Sequence, residues 1–219
     1  MTSFPKRNPT NTSDDTAKGQ IRQGNEALIL EAAERVFAGA GFGGATMAAI
    51  AESSGLPKAN LHYYFGSKQE LYRAVLARTL QDWLAPTLGI VPEADPRTAI
   101  ERYIRDKMAL SARRPHASKV FANELLHGAP VVKTLLETEL RALVRAKAAV
   151  IDGWIADGKM ANVDSVHLFF TIWAATQTYA DFDVQVCAVL GRAELKAKDH
   201  QRATEHVVAL LLRGCSLGA

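Results

Sequence analysis

The chain has little of several features that mark common classes of protein. It has only two cysteines in 219 residues, Cys187 and Cys215, too few for the disulfide framework of a small secreted domain. No apolar run approaches the ~18 residues that a membrane helix needs, and no signal-peptide pattern precedes the first predicted helix. Aromatic residues make up 7% of the chain and the formal net charge is +3, so composition alone does not indicate nucleic-acid binding. We expect a cytoplasmic protein with free thiols.

Motifs for catalysis, cofactors and metal ions are also missing. Three glycines have the spacing G-x-G-x-x-G, namely Gly39, Gly41 and Gly44. A dinucleotide site needs a strand before that loop, whereas a helical pattern precedes it here. Three scattered histidines form no close ligand pair, namely His116, His127 and His167. No G-x-S-x-G or other nucleophile motif occurs, so we predict no catalytic residues, no cofactor, no metal site and no enzyme.

Helical patterns fill most of the chain. Strand signals are absent and 48% of the residues are hydrophobic, which predicts an all-α protein with a sizeable core. Residues 1–24 are polar and predict a disordered tail, residues 25–74 predict a three-helix unit, and residues 75–219 predict a larger helical domain. The helix that begins after Ser67 continues to Pro86 without a linker, so the two domains are expected to share it.

The segment from Thr46 to Leu71 predicts a helix-turn-helix. Thr46 is suited to cap the first helix, and Gly55 supplies the left-handed conformation of the turn. Pro57 is suited to the start of the second helix, which is expected to reach about Tyr64. Ser67 followed by Glu70 is a capping box for the third. In such a unit the second helix enters the major groove of DNA. The candidate DNA-binding residues are Thr46, Lys58, Ala59, Asn60, His62, Tyr63, Tyr64 and Lys68.

The run from Ile29 to Leu76 resembles the DNA-binding domain of the TetR family of bacterial transcriptional regulators. Four segments carry the resemblance: ILEAAERVFAGAGF, the T-x-x-x-I-A beginning at Thr46, SGLPKANLHYYF and SKQELY. The sequence departs from the family pattern at Pro57, His62 and Tyr64. The resemblance implies that Thr46, Tyr63 and Lys68 clamp the DNA backbone. It also implies that a second set reads base edges, namely Lys58, Ala59, Asn60 and His62.

The second half resembles one branch of that family, the regulators similar to the pyrimidine-utilisation repressor. The matching segments are LQDWLAP, ELLHGAP and IWAATQTYADF. The resemblance implies a pyrimidine base, such as uracil or thymine, as the effector. The candidate effector-binding residues are Trp83, Trp173, Gln177 and Tyr179. An amide offers the donor and acceptor that an imide edge requires, and an indole offers a stacking face. The alternative is that the aromatic residues belong to the core and that Gln177 bonds across a dimer interface.

The last predicted helices, from Asp164 to about Val184 and from about Leu195 to Leu212, are apolar on more than one face. They predict a four-helix homodimer interface, the alternative being burial within one subunit. A dimer also doubles the length of DNA that one helix-turn-helix reads. The sequence therefore predicts a homodimeric repressor that binds a palindromic operator and responds to a small molecule. The alternatives are a helical small-molecule-binding protein or enzyme with an appended DNA-binding head, and a nonspecific architectural DNA-binding protein.

Overall fold

The computed structural model describes residues 12–218, with side chains from residue 19. Every regular element in this range is helical, as predicted. In chain order the elements are α1 (Thr12–Gly44), α2 (Met47–Ser54), α3 (Lys58–Phe65), α4 (Lys68–Leu84), a 3₁₀ turn (Ala85–Gly89), α5 (Pro96–Arg113), α6 (Pro115–Leu126), α7 (Lys133–Leu135), a π-helical turn (Leu136–Leu140), α8 (Arg141–Ala156), α9 (Ser165–Asp181), α10 (Asp183–Leu190) and α11 (Ala197–Gly214). No helix among these residues is both long and apolar enough to cross a membrane.

The start of α1 differs from the prediction. The segment expected to be a disordered tail, residues 1–24, is helical from Thr12, and residues 1–11 lie outside the described residues. No proline interrupts the chain between Thr12 and Asn25, so the helix extends outward from the buried stripe that begins at Ile29. The other end of α1 is kinked at Gly41, where φ is 68° and ψ is 172°.

Local capping determines where the next helices begin. The Thr46 hydroxyl accepts a hydrogen bond from the Ala49 N–H at 3.1 Å and starts α2, and Gly55 ends it with φ at 69°. Ser67 and Glu70 form the predicted capping box at the start of α4. Pro57 precedes the first residue of α3 and has extended backbone angles. The helix-turn-helix prediction is therefore confirmed in its helices and its turn.

Two hydrophobic cores form, and α6 contributes to the first of them. The first core is formed by the four helices α1, α2, α3 and α4. It includes the fully buried Ile29, Ile50 and Leu61, together with Val120 and Phe121 of α6. The second lies among α5, α8, α9 and α11. Its largest fully buried side chains are Trp154, Tyr103 and Phe169. Because α6 packs against the helix-turn-helix unit, the two domains are in direct contact.

The predicted helix from Asp164 to about Val184 is wrong in its length. Asp164 caps α9 as expected, through a hydrogen bond from the His167 N–H at 2.9 Å. However, α9 ends at Asp181, because Phe182 leaves the helical region with φ at −119° and ψ at 33°. The separate helix α10 follows. It leaves Val184 and Val189 about four-fifths exposed, at 79% and 81%.

Candidate DNA-binding surface and effector cavity

The recognition helix α3 presents a polar and aromatic face to solvent. Leu61 anchors the helix in the first core, whereas Lys58, Ala59 and His62 are exposed. Tyr63 is the most exposed aromatic side chain of the helix, at 73%. Its ring meets the Tyr64 ring edge-on, with the ring centres 5.2 Å apart, and the rest of the side chain faces solvent. This face is therefore available to a groove of DNA.

Two of the predicted DNA-binding residues on α3 also hold the helix in place. The Nδ1 atom of His62 lies 2.8 Å from the Gly66 carbonyl oxygen, so a protonated Nδ1 caps the end of α3 and leaves Nε2 for a base or phosphate. The half-buried Tyr64 accepts a hydrogen bond from the Asn25 side-chain amide at 3.2 Å, which links α3 to α1. Asn60 is also half-buried at the edge of the exposed face.

Thr46 and Lys68 have structural partners as well. The Thr46 hydroxyl caps α2, and the Lys68 ammonium donates to the carbonyl oxygens of Phe42 and Ala45 at 2.8 and 2.9 Å. Lys68 Nζ also lies 4.5 Å from the centre of the Phe42 ring. The ammonium has three donors and these bonds use two, which leaves one for a phosphate. Lys68 therefore fixes the turn that leads into α2 besides presenting positive charge.

An apolar cavity of about 130 Å³ lies where α4, α5, α6 and α9 meet. Three of the four predicted effector-binding residues line it together, namely Trp83, Trp173 and Gln177. Their neighbours include Leu80, Phe121, Leu140 and Lys107. Two indole side chains and one amide thus line one small, partly open cavity. The indole N–H of Trp173 donates to the Tyr103 hydroxyl at 2.7 Å, which fixes the orientation of that ring.

Tyr179, the fourth predicted effector-binding residue, is not brought to this cavity. It lies on α9 two residues beyond Gln177, and side chains two apart on a helix point to different sides. Tyr179 lines a separate surface groove beside Pro115, Cys187 and His200. The structure therefore gives no geometric support for Tyr179 as part of the same site.

Comparison with known proteins assigns the family. The sequence matches the profile described as bacterial regulatory proteins of the tetR family over residues 29–75, and a profile described as the C-terminal region of YcdC-like proteins over residues 76–218. It is 43% identical over 186 residues to the HTH-type transcriptional regulator RutR of Escherichia coli K12, across 85% of this chain and 88% of that protein. The chain belongs to the TetR family. It is a TetR-type transcriptional regulator and not an enzyme.

Solved structures of TetR-family regulators share its fold. The ketosteroid transcriptional regulator KstR2 of Mycobacterium tuberculosis superposes with a TM-score of 0.66 at 19% identity, covering 87% of this chain and 94% of that one. AibR, in a crystal structure with isovaleryl coenzyme A and operator DNA, superposes with a TM-score of 0.62 at 16% identity, covering 85% and 97%. At these identities the likeness establishes the fold alone.

Lys107 is not among the residues predicted from the sequence of this TetR-family chain. The residue is 2% exposed, and its ammonium lies 4.3 Å from the centre of the Trp83 ring. Burial lowers the pKa of Lys107 to about 7, and the charge of Asp181 partly opposes the shift. A signal was present in the sequence, because Lys107 falls one turn after Tyr103 and beside Met108 on the apolar stripe of α5. A lysine at a core position of a helix indicates either a buried ion pair or a ligand.

Polar bonds that were not predicted from the sequence join the two domains. Arg114, between α5 and α6, forms ion pairs with Glu34 of α1 and Asp82 of α4. Tyr72 of α4 donates a hydrogen bond to the buried Glu124 of α6 at 3.1 Å. Burial and the adjacent carboxylate raise the pKa of Tyr72, so its hydroxyl keeps its proton and remains a donor. These bonds attach the DNA-binding head to the helix that forms part of the cavity wall.

Proposed function

We propose that the protein is a cytoplasmic homodimeric repressor that binds a palindromic operator and leaves it when a pyrimidine base, such as uracil or thymine, fills the cavity. The observation that carries the proposal is that α4 connects the two sites. Lys68 in its first turn braces the helix-turn-helix, and Trp83 near its end forms part of the cavity wall. A ligand that moves the cavity end of α4 therefore acts on the position of the DNA-binding head.

The size and chemistry of the cavity support the choice of effector. An apolar cavity of about 150 Å³ holds benzene, so a volume near 130 Å³ suits one six-membered ring. Trp83 and Trp173 offer stacking faces, and the Gln177 amide offers one donor and one acceptor to an imide edge. Lipid chains and nucleotides exceed this volume. The pairing of ring stacking with a single amide favours a neutral pyrimidine.

The exposed apolar side chains of the last helices support a dimer. Phe170 of α9 and Leu210 of α11 are 48% and 60% exposed, although the opposite faces of both helices are buried in the second core. Phe182, which ends α9, and Val184 of α10 are also exposed. Exposed apolar side chains on helices whose opposite faces are buried favour a partner surface, and a second copy of the chain supplies one with two-fold symmetry.

Fluorescence anisotropy tests the proposal directly. Labelled DNA from upstream of the protein's own gene is titrated at physiological salt against scrambled DNA, with and without uracil and thymine. We expect selective binding that either base releases, and Gln177→Ala is expected to keep the selective binding but lose the release. Equal binding to both DNAs would contradict the operator proposal, and selective binding that ignores both bases would contradict the pyrimidine proposal alone.

A further inference from the structure

Lys107 has no carboxylate partner at the cavity. None of the ion pairs found within residues 19–218 includes it, and Nζ lies over the face of the Trp83 ring, 4.3 Å from the ring centre. An ammonium that is buried beside aromatic carbon loses its water without gaining a hydrogen-bond acceptor in return. This arrangement lowers the stability of the ligand-free protein. A ligand with an acceptor oxygen restores part of the lost free energy by accepting a hydrogen bond from the ammonium.

The charged groups around Lys107 are bound to other partners. Asp181, at the end of α9, accepts a hydrogen bond from the Ser118 hydroxyl of α6 at 2.5 Å. Asp183, at the start of α10, is held by Lys119 of α6 at 2.7 Å.

Two carboxylates on other helices that line the cavity also have partners: Asp82 of α4 is bound by Arg114, and Glu124 of α6 is bound by Tyr72 and by the Val131 N–H. The negative charge of Asp181 thus acts on Lys107 at a distance, and it partly offsets the lowering of the Lys107 pKa by burial. No other carboxylate among these is free to neutralise the ammonium when a ligand enters.

We propose that Lys107 is an effector-binding residue that donates a charged hydrogen bond to a ring carbonyl oxygen, so that the effector enters with uptake of a proton. The inference rests on the cavity being the effector site, as proposed above, and it assigns the ligand class: a single uncharged ring that carries a carbonyl beside a ring N–H. Gln177 and Lys107 then recognise two parts of one polar edge, while Trp83 and Trp173 enclose the ring.

The pH dependence of binding follows from this arrangement. In the free protein the pKa of Lys107 is about 7, so the amine is mostly neutral at pH 8. A carbonyl oxygen that binds the ammonium favours the charged form and raises the pKa of Lys107 in the complex. Effector affinity therefore decreases by up to about tenfold for each pH unit above 7, and close to one proton is taken up per ring bound at pH 8.

Isothermal titration calorimetry tests the inference. Uracil and glutarimide, a cyclic imide that is not a pyrimidine, are each titrated at pH 8 into the full chain in phosphate and in Tris buffer. The different ionisation enthalpies of the buffers give the number of protons taken up. We expect uptake near one for the unchanged protein. Lys107→Met keeps the length of the side chain and removes its donor, so it is expected to bind about 10- to 100-fold more weakly without uptake.

Lys159→Met is the matched control, because Lys159 is an exposed lysine paired with Asp157 at 2.9 Å. It is expected to bind like the unchanged protein, with the same proton uptake. Binding without proton uptake, equal binding by Lys107→Met, or no binding of either ring would overturn the inference.

Two further results separate this inference from the proposed function. If glutarimide binds through Lys107 and uracil does not, the inference stands and the pyrimidine proposal fails. Binding of Lys107→Met to the operator is also measured by anisotropy without effector. If this variant binds the operator selectively, the DNA-binding proposal stands even where the inference about Lys107 fails.

Discussion

Arg114 forms an ion pair with Glu34, a carboxylate that is only 4% exposed in α1. The same guanidinium binds Asp82 of α4, so one side chain holds both helices of the head that reach the effector domain. Both carboxylates precede Arg114 in the chain, by 80 and 32 residues. Removing a buried partner of this kind is more disruptive than removing a surface charge.

Arg114→Met is expected to lower the free energy of unfolding by about 3–5 kcal/mol, because it leaves the Glu34 carboxylate buried without its cation. Urea unfolding followed by circular dichroism measures the change. The double variant Glu34→Gln/Arg114→Met removes both charges and is expected to recover part of the loss. A single variant as stable as the unchanged protein would show that the pair does not stabilise the fold.

Thr46 allows its capping role to be separated from its predicted contact with DNA phosphate. Thr46→Ala is expected to lower the free energy of unfolding by about 1 kcal/mol, because α2 loses its N-terminal cap. Thr46→Asp retains a capping oxygen and introduces a negative charge, so it is expected to preserve stability and weaken binding to all DNA. Thermal unfolding and anisotropy titration measure the two effects. Unchanged DNA affinity in Thr46→Asp would place Thr46 away from the phosphates.

Lys68→Met is expected to reduce both the stability of the head and the salt dependence of DNA binding. Stability falls because the carbonyl oxygens of Phe42 and Ala45 lose their donor. A lost phosphate contact decreases the slope of log K against log salt by about 0.9. Lys58→Met is the comparison, since Lys58 is exposed on α3 and its removal should leave stability unchanged. A slope unaffected by Lys68→Met would restrict Lys68 to its structural role.

Lys107→Met is expected to stabilise the protein in the absence of effector, most of all at low pH. Below pH 7 the folded protein holds a charged lysine in an apolar site, which costs free energy. Between about 7 and the ordinary lysine pKa of 10.5, the unfolded chain binds a proton that the folded chain does not, so the stability of the unchanged protein rises with pH. The difference in free energy of unfolding between the two proteins should therefore shrink from pH 7 to pH 10. Thermal unfolding measures it, because each kcal/mol changes Tm by about 2–4 °C in a protein of this size.

Tyr179→Phe and Gln177→Ala are expected to differ in their response to effector. Tyr179 lies outside the cavity, so the loss of its hydroxyl should leave release from DNA by uracil unchanged. Gln177 lies in the cavity wall, and its truncation removes the amide that we propose recognises the imide edge. Effector titration of the protein–DNA complex distinguishes the two. A response abolished by Tyr179→Phe would move the effector site to the neighbouring groove.

The features that sequence predicted well depend on near neighbours in the chain. Thr46, Ser67 and Asp164 cap helices through residues three positions ahead, and Gly55 ends α2 by its own backbone freedom. The placement of Trp173 and Gln177 on one face follows from their spacing of four residues. Tyr179 failed the same test of spacing, because it lies only two residues from Gln177.

The features that sequence did not predict depend on distant parts of the chain. No local pattern connects Arg114 with Glu34, or Tyr72 with Glu124, because tertiary packing alone brings these residues together. The break at Phe182 was also missed, since the segment around it has no proline or glycine to mark the end of a helix. The buried position of Lys107 was visible as a periodicity, but its contact with Trp83 of another helix was not.

The 17 residues of α4 give it the geometry of a lever. At a rise of 1.5 Å per residue, its two ends lie about 24 Å apart, so a tilt of about 5° at the cavity end moves the other end by about 2 Å. In a dimer the two heads move in opposite directions, which doubles the change in their separation. In the proposed dimer, a tilt of this size would therefore change the separation of the recognition helices by about 4 Å, against the spacing of about 34 Å between successive turns of DNA.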